Sequence, residues 1–206
     1  MAWYDISHGT YYRYTSTEAR ANAWEVYNYF RGLGNPWEIV SIAAMCGNMM
    51  LESTLNPYIR ETTQSGAFGL VQWITHKRDM INWAEGRGLR ATSGPAQVQY
   101  IEQERNGIDD QWQGREEYVG MRFSDFAYNT RGYDLQTLTH CFWRCFERSN
   151  AYQTDRELYA NYYYTMFTGE DPPGPGPGPE PGTVPPWLLF RKRPWWKLGG
   201  RKYITA

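Results

Sequence analysis

The sequence predicts a mainly α-helical domain with one small β-hairpin, followed by a Pro/Gly-rich linker and a short tail. Apolar residues recur at helical spacing through most of the first 170 residues. A stretch rich in threonine, serine and glycine interrupts this pattern at 60–74, and prolines alternate with glycines from residue 173 onward. These shifts predict four segments: a leader at 1–17, a globular domain at 18–170, a linker at 171–183 and a basic, Trp-rich tail at 184–206.

The composition argues against several classes of function. The formal net charge is −1, whereas nucleic-acid binders usually carry a basic excess, so we expect no nucleic-acid partner. The chain has 3 Cys and 3 His, and none of them falls at the spacing of a metal site, so we predict no metal and no cofactor. No stretch approaches the roughly 20 apolar residues of a membrane span, and we expect no secretory signal.

Two helices are predicted before the hairpin. The first covers 17–34 and ends at a pair of glycines. The second begins at Asn35, with Pro36 in its first turn and Glu38 completing a capping box. Asn56-Pro57 ends it, because a residue before proline avoids the helical conformation. One stripe of this helix is apolar and should be buried: Ile39, Ile42, Ala43, Cys46 and Met50.

The hairpin is predicted to turn at Ser65-Gly66 and to continue into the strand-like run 68–73. Residues 107–123 show no clear period. Helical spacing returns in four other segments: from about 75 to 86, from Pro95 onward, after the capping residue Asp134, and from the Thr154/Glu157 capping box to Gly169.

A glutamate near the end of the second helix gives the clearest chemical signal. Glu52 follows Met45 and Met49 at helical spacing, so we expect it at the edge of the buried face. Partial burial disfavours its charged form, and the negative end of the helix dipole acts in the same direction. A carboxyl that keeps its proton can protonate the leaving oxygen when a glycosidic bond breaks. The hairpin would form the opposite wall of a cleft.

The motif around Glu52 resembles the goose-type lysozyme and lytic transglycosylase superfamily, and more closely the phage tail lysozyme family. The family's pattern is present as Gly47-Asn48, Glu52-Ser53, Asn56-Pro57 and Gly69-Leu70-Val71-Gln72-Trp73. The resemblance extends over about residues 18–169, including the first helix, a late aromatic-Glu-Arg element at 142–148 and the closing helix. It implies a lysozyme-like helical fold with Glu52 as the catalytic acid. Five residues are expected to bind substrate: Ser53, Tyr58, Gly69, Gln72 and Trp73.

The sequence does not identify the second catalytic group. A hydrolase can pair its acid with a second carboxylate, either close by or far enough away to leave room for a water. The resemblance favours Glu147, although an ion pair with Arg148 is an equally good interpretation. A single acid could instead use a group of the substrate as nucleophile and leave an anhydro sugar. The other candidates for a second carboxylate are Glu61, Asp109 and Asp110.

A second motif resembles a different family. Phe126-Ala-Tyr-Asn129 is similar to the Ala-Tyr-Asn motif of lytic transglycosylases, but Thr130-Arg131 follows it where that family has Ala-Gly. We therefore interpret it as part of a packing helix.

The resemblance implies bacterial peptidoglycan as substrate, with attack on the β-1,4 bond between N-acetylmuramic acid and N-acetylglucosamine. It implies a phage protein in the virion tail, or in the host cytoplasm before release, that acts on the cell wall. The tail at 184–206 contains Trp and Arg, which are common at binding hot spots, so it can dock onto other virion proteins or onto an anionic surface. A disordered extension is the simpler interpretation. The alternative function is a non-catalytic glycan-binding or structural tail component.

Overall fold

A computed structural model describes residues 3–4, 12–61, 65–108, 111–128, 132–149 and 151–170. The predicted linker and tail lie outside these residues, so the predicted domain boundaries remain predictions. The mainly α-helical prediction is confirmed. Of the helices in the described part of the chain, none combines the length and the hydropathy that a transmembrane span requires. Within them the helices are α1 (Ser16–Arg31), α2 (Ile39–Ser53), α3 (Lys77–Glu85), α4 (Gly94–Arg105), α5 (Phe123–Ala127), α6 (Leu135–Phe142) and α7 (Asp155–Thr168).

Helix α2 is the centre of the domain. It packs against α7 most extensively and also against α6 and α1. Almost every side of α2 is buried, as expected for a helix that is apolar all round. Ile42, Met45 and Met49 are among the largest fully buried side chains. Burial of each contributes about 1.5–3 kcal/mol relative to exposure, so α2 is a rigid base for the residues at its end.

Gly47 allows α2 and α7 to approach very closely. A Cβ atom on Gly47 would lie 2.6 Å from the carbonyl oxygen of Arg156 and 2.8 Å from the Cβ of Ala160. Only glycine fits at such a distance, because real Cβ atoms keep further away. The first turn of α7 therefore lies directly against the second half of α2.

The start of α2 differs from the prediction. The helix begins at Ile39, and Glu38 makes no side-chain cap, so the capping box predicted at Asn35 is wrong. The reason is tertiary: Trp37 is fully buried, and its indole Nε1 donates to Glu102 Oε2 at 2.9 Å. The Glu38 backbone N–H donates to the Ala127 carbonyl at 2.9 Å. These contacts hold the preceding residues in a non-helical conformation.

The other helix ends follow the sequence more closely. Asp134 caps α6, since its Oδ1 accepts from the Thr137 N–H at 2.7 Å. Gly169 ends α7 with φ of 74°. Thr154 precedes α7 but makes no side-chain cap, so the second predicted capping box is also wrong. Glu157 instead accepts from Gln136 and Tyr152, each at 2.9 Å.

The region of the predicted hairpin forms two short antiparallel contacts and no regular strand among its described residues. Arg60 pairs with Phe68, and Phe68 pairs with Trp73. The two backbone hydrogen bonds between Phe68 and Trp73 measure 3.1 and 2.9 Å and close a tight loop over the four residues between them. The chain therefore doubles back beside the end of α2, but by loops rather than strands.

Candidate active site

Glu52 lies in the last turn of α2, and its side chain is 25% exposed. Its Oε1 forms an ion pair with Nη2 of Arg156 at 2.5 Å. A second arginine, Arg13, donates to the backbone carbonyl oxygens of Leu51 and Glu52 at 3.3 and 3.5 Å. A cation at a helix C-terminus is favourable because the last carbonyls carry partial negative charge. The Glu52 side chain is thus partly accessible to solvent, while Arg156 holds its carboxyl group and Arg13 holds its backbone.

Glu147 contacts the same guanidinium as the Glu52 carboxyl, that of Arg156. Helix α6 continues into a π-helical turn at Trp143–Glu147, which ends at Arg148 with a left-handed φ of 57°. The Glu147 side chain is only 4% exposed, and its Oε2 lies 2.7 Å from Arg156 Nη1. Arg156, and not the neighbouring Arg148, is its partner among the described ion pairs. Short π-helical segments inside helices are frequent at functional sites.

The two carboxyl groups differ in their surroundings. Burial raises the pKa of Glu147 well above its ordinary value, against the opposing charge of Arg156, and the charge of Glu52 raises it further. Burial alone would lower the pKa of Arg156, but the two carboxyls outweigh that effect and raise it. The guanidinium is therefore charged, while Glu147 holds a proton over a wider pH range than an ordinary glutamate.

Asn48 makes a third side-chain contact to the Arg156 guanidinium, besides those of Glu52 and Glu147. Its Oδ1 accepts from Arg156 Nη1 at 2.9 Å, and its Nδ2 donates to the Thr139 carbonyl at 3.0 Å. Asn48 therefore connects α2 to α6 and α7 at the site. Arg156 was not predicted as a site residue, because an arginine in the first turn of a helix is normally exposed. Its burial depends on the close approach at Gly47, which the Gly-Asn pair in the sequence could have suggested.

Two of the predicted substrate-binding residues are placed in the core instead. Ser53 is fully buried, with its Oγ 2.8 Å from the Leu70 carbonyl oxygen. Trp73 is 1% exposed, and its Nε1 donates to Glu104 Oε1 at 3.1 Å. The expectation that Trp73 binds substrate does not fit this placement, because its ring packs within the domain. Both residues hold the loop after α2: Ser53 bonds to its Leu70 carbonyl, and Trp73 joins it to Glu104 of α4.

The remaining predicted substrate-binding residues lie on loops after α2. Tyr58 and Gln72 are half-buried and retain accessible surface, whereas Gly69 is buried. Gln72 has a left-handed φ of 53°, and its Nε2 donates to the Gly69 carbonyl at 2.9 Å. Gly69 has φ of 77°, and a Cβ there would lie 2.6 Å from Gln97 Oε1, so the position requires glycine.

Gln97 of α4 holds this loop in place and was not predicted. Its Oε1 accepts from the Leu70 N–H at 2.8 Å, and its Nε2 donates to the Pro57 carbonyl at 2.8 Å. The side chain is fully buried. A polar residue at a buried helical position is the signal that could have identified it, since such a group needs hydrogen-bond partners.

The other candidate carboxyls are not brought to Arg156 by the described contacts. Glu61 lies in the loop after α2, and its Oε2 accepts from the Ser65 hydroxyl. Asp109, Asp110 and the motif residue Asn129 lie outside the described residues. Phe126 is buried in α5. Among the residues that the structure describes, no group of three or more His, Cys, Asp or Glu could hold a metal ion.

The fold and this site together define the class of protein. A part-exposed carboxyl beside a buried one with a raised pKa is an arrangement that can hold and supply a proton. It lies at the end of the central helix of a mainly helical domain. The family model for phage tail lysozyme matches residues 21–167. The chain belongs to the phage tail lysozyme family.

The chain is 32% identical over 162 residues to Morphogenesis protein 1 of Bacillus phage B103. The match covers 76% of this chain but only 42% of that relative. The chain thus spans less than half the length of this relative.

Proposed function

We propose that this chain cleaves the β-1,4 bond between N-acetylmuramic acid and N-acetylglucosamine in bacterial peptidoglycan, with Glu52 as the general acid. The observation that supports this most is the position of Glu52. It is the exposed member of the cluster with Arg156 and Glu147, and it occupies the motif position of the acid in the family resemblance. Glu147 is too deeply buried to touch a polysaccharide.

The reaction needs one proton at the leaving oxygen. Glu52 delivers it as the glycosidic bond breaks, and the electron pair of the bond stays on that oxygen. The sugar cation that forms is then captured either by water or by a hydroxyl or N-acetyl group of the substrate itself. Capture by water leaves a reducing end, and capture by the substrate's hydroxyl leaves an anhydro end. Mass spectrometry of the released muropeptides distinguishes the two.

The proposed setting is a phage virion or tail, with action on the host cell wall. The family and the name of the phage relative support this setting. Residues 184–206 are proposed to attach the domain to other tail proteins. Deletion of 171–206 should then abolish incorporation into virions and leave cleavage of isolated sacculi unchanged. Loss of cleavage in that deletion would contradict a purely docking role.

Comparison of Glu52→Gln with wild type on purified sacculi tests the activity. Gln keeps an acceptor oxygen for Arg156 but cannot donate the proton, so cleavage should fall by about 10²–10⁴-fold. Folding and sacculus binding should be retained. Glu85→Gln is the matched control, because Glu85 is an exposed glutamate at the end of α3. It should cleave like wild type.

Two outcomes count against the proposal. Equal cleavage by wild type and Glu52→Gln would remove Glu52 as the acid. Binding of sacculi with no fragments released by either protein would favour the non-catalytic glycan-binding or tail component.

A further inference from the structure

The site contains two carboxyl groups and one shared guanidinium. Arg156 is 3% exposed, and its two Nη atoms contact Glu52 and Glu147 separately, at 2.5 and 2.7 Å. Arg156 alone cannot balance both carboxyls when they are ionised, and Glu147 is the one that lies away from water, at 4% exposure against 25% for Glu52. Burial of an uncompensated charge is costly, and uptake of one proton removes it. The geometry therefore favours a cluster that holds a single proton on its two carboxyls.

The two carboxyls do not share that proton equally. Glu52 is part-exposed, and the guanidinium of Arg13 lies at the α2 carbonyls beside it. Glu147 is buried in the π-helical turn, where Arg156 is its ion-pair partner. Positive charge and water are thus concentrated on the Glu52 side, so the proton belongs on Glu147. Among the described residues, Arg13 acts on Glu52 and Tyr152 acts on Arg156, while Tyr159 acts on Arg13.

We propose, building on the function proposed above, that Glu147 stores the proton that Glu52 delivers and that Arg156 is the positioning residue between them. In the resting site the proton of the cluster lies on Glu147, and Arg156 is charged. When substrate displaces water from Glu52, the proton passes from Glu147 to Glu52 along the hydrogen bond between the two side chains. Arg156 then neutralises the Glu147 carboxylate. Glu52 gives the proton to the leaving oxygen.

The second half of the reaction returns a proton to Glu147. The attacking water or substrate hydroxyl loses a proton, which Glu52 accepts and returns to Glu147. Arg156 remains protonated throughout, and it joins both carboxyls through one planar group of fixed geometry. Asn48 accepts from the same Nη1 and keeps the guanidinium from rotating as the charge moves. Neither Glu147 nor Arg156 needs to touch the substrate.

The pH profile of cleavage by Glu147→Gln tests this role. In wild type, activity should persist on the alkaline side until the cluster loses its proton. In Glu147→Gln, Glu52 must take its proton directly from solvent while paired with Arg156. The alkaline limb should therefore move to lower pH, and cleavage at neutral pH should fall by about 10- to 100-fold.

Glu102→Gln is the matched control for loss of a buried, arginine-paired carboxyl. Glu102 is buried on α4 and pairs with Arg105, away from Glu52. Its Gln variant should lose stability but keep the wild-type pH profile. A Glu147→Gln enzyme with the wild-type alkaline limb, whatever its activity, would overturn the proposal, because a merely structural role lowers activity equally at every pH.

A second measurement uses the wild-type protein and does not depend on the folding of a variant. Isotope-edited infrared spectroscopy of labelled glutamate should show one protonated carboxyl near neutral pH. Absence of that band would overturn proton storage, even if Glu52→Gln confirms the general acid. Conversely, the band can be present in a protein that releases no glycan fragments, and that result would contradict only the proposed function.

Discussion

Gly47 of α2 lies directly against Ala160 of α7, and a Cβ atom on Gly47 would be 2.7 Å from the Ala160 backbone nitrogen. Arg156 is one turn earlier on the same face of α7, where residues four apart are neighbours. The close contact therefore positions Arg156 beside the end of α2, within reach of Asn48 and Glu52. A packing detail in the core fixes the geometry of the site.

Gly47→Ala should disturb both stability and activity. The added methyl would force the two helices apart, and such overpacking costs about 1–3 kcal/mol. The separation should also weaken the ion pair between Arg156 and Glu52, so sacculus cleavage should fall. Denaturant unfolding and cleavage assays measure the two effects. Gly34→Ala is the control, since a Cβ there meets nothing within 4 Å. Equal stability of the two variants would refute the close approach.

The raised pKa of Glu147 should make stability depend on pH. The unfolded chain releases this proton near the ordinary glutamate value, whereas the folded protein keeps it to higher pH. The stabilisation is fully present below the unfolded pKa and is lost as pH rises towards the folded pKa. Relative to Glu147→Gln, wild type should lose up to about 1.4 kcal/mol per pH unit in that window. Urea unfolding at several pH values checks the sign. Parallel curves for the two proteins would contradict it.

Gln97→Leu should loosen the loop after α2. The change keeps a similar volume but leaves the Leu70 N–H and the Pro57 carbonyl without their partner. Each unsatisfied buried group costs about 1–3 kcal/mol, so a marked loss of stability is expected. Gln103→Leu, at a half-buried position of α4, should stay within about 0.5 kcal/mol of wild type. Urea unfolding compares them, and a neutral Gln97→Leu would show that the loop is held by other contacts.

Thr15→Ala and Thr154→Ala should differ although both threonines precede a helix. Thr15 and Glu18 form a complete capping box, with the Thr15 N–H donating to Glu18 Oε2 at 2.6 Å. Its loss should cost about 0.5–2 kcal/mol. Thr154 makes no side-chain cap, so its replacement should cost much less. Thermal unfolding of the two variants measures the difference. An equal loss in both would mean that Thr154 does cap α7 in solution.

Local patterns in the sequence determined most helices and several of their ends. The Asp134 cap and the Gly169 stop depend on neighbours within a few residues, so they could be predicted without the fold. The placement of Glu52 in the last turn of α2, after an apolar stripe, is local in the same sense. These features follow from backbone conformation and helical periodicity alone.

Only the tertiary structure decided how the site is completed. Arg156 and Glu52 are 104 residues apart, so no local pattern could predict their pairing. Burial of Trp37 displaced the predicted start of α2, and burial of Trp73 removed it from the predicted substrate-binding surface. The physical reason is the same in each case. A side chain's conformation and charge state depend on what packs against it, and at α2 those neighbours come from distant parts of the chain.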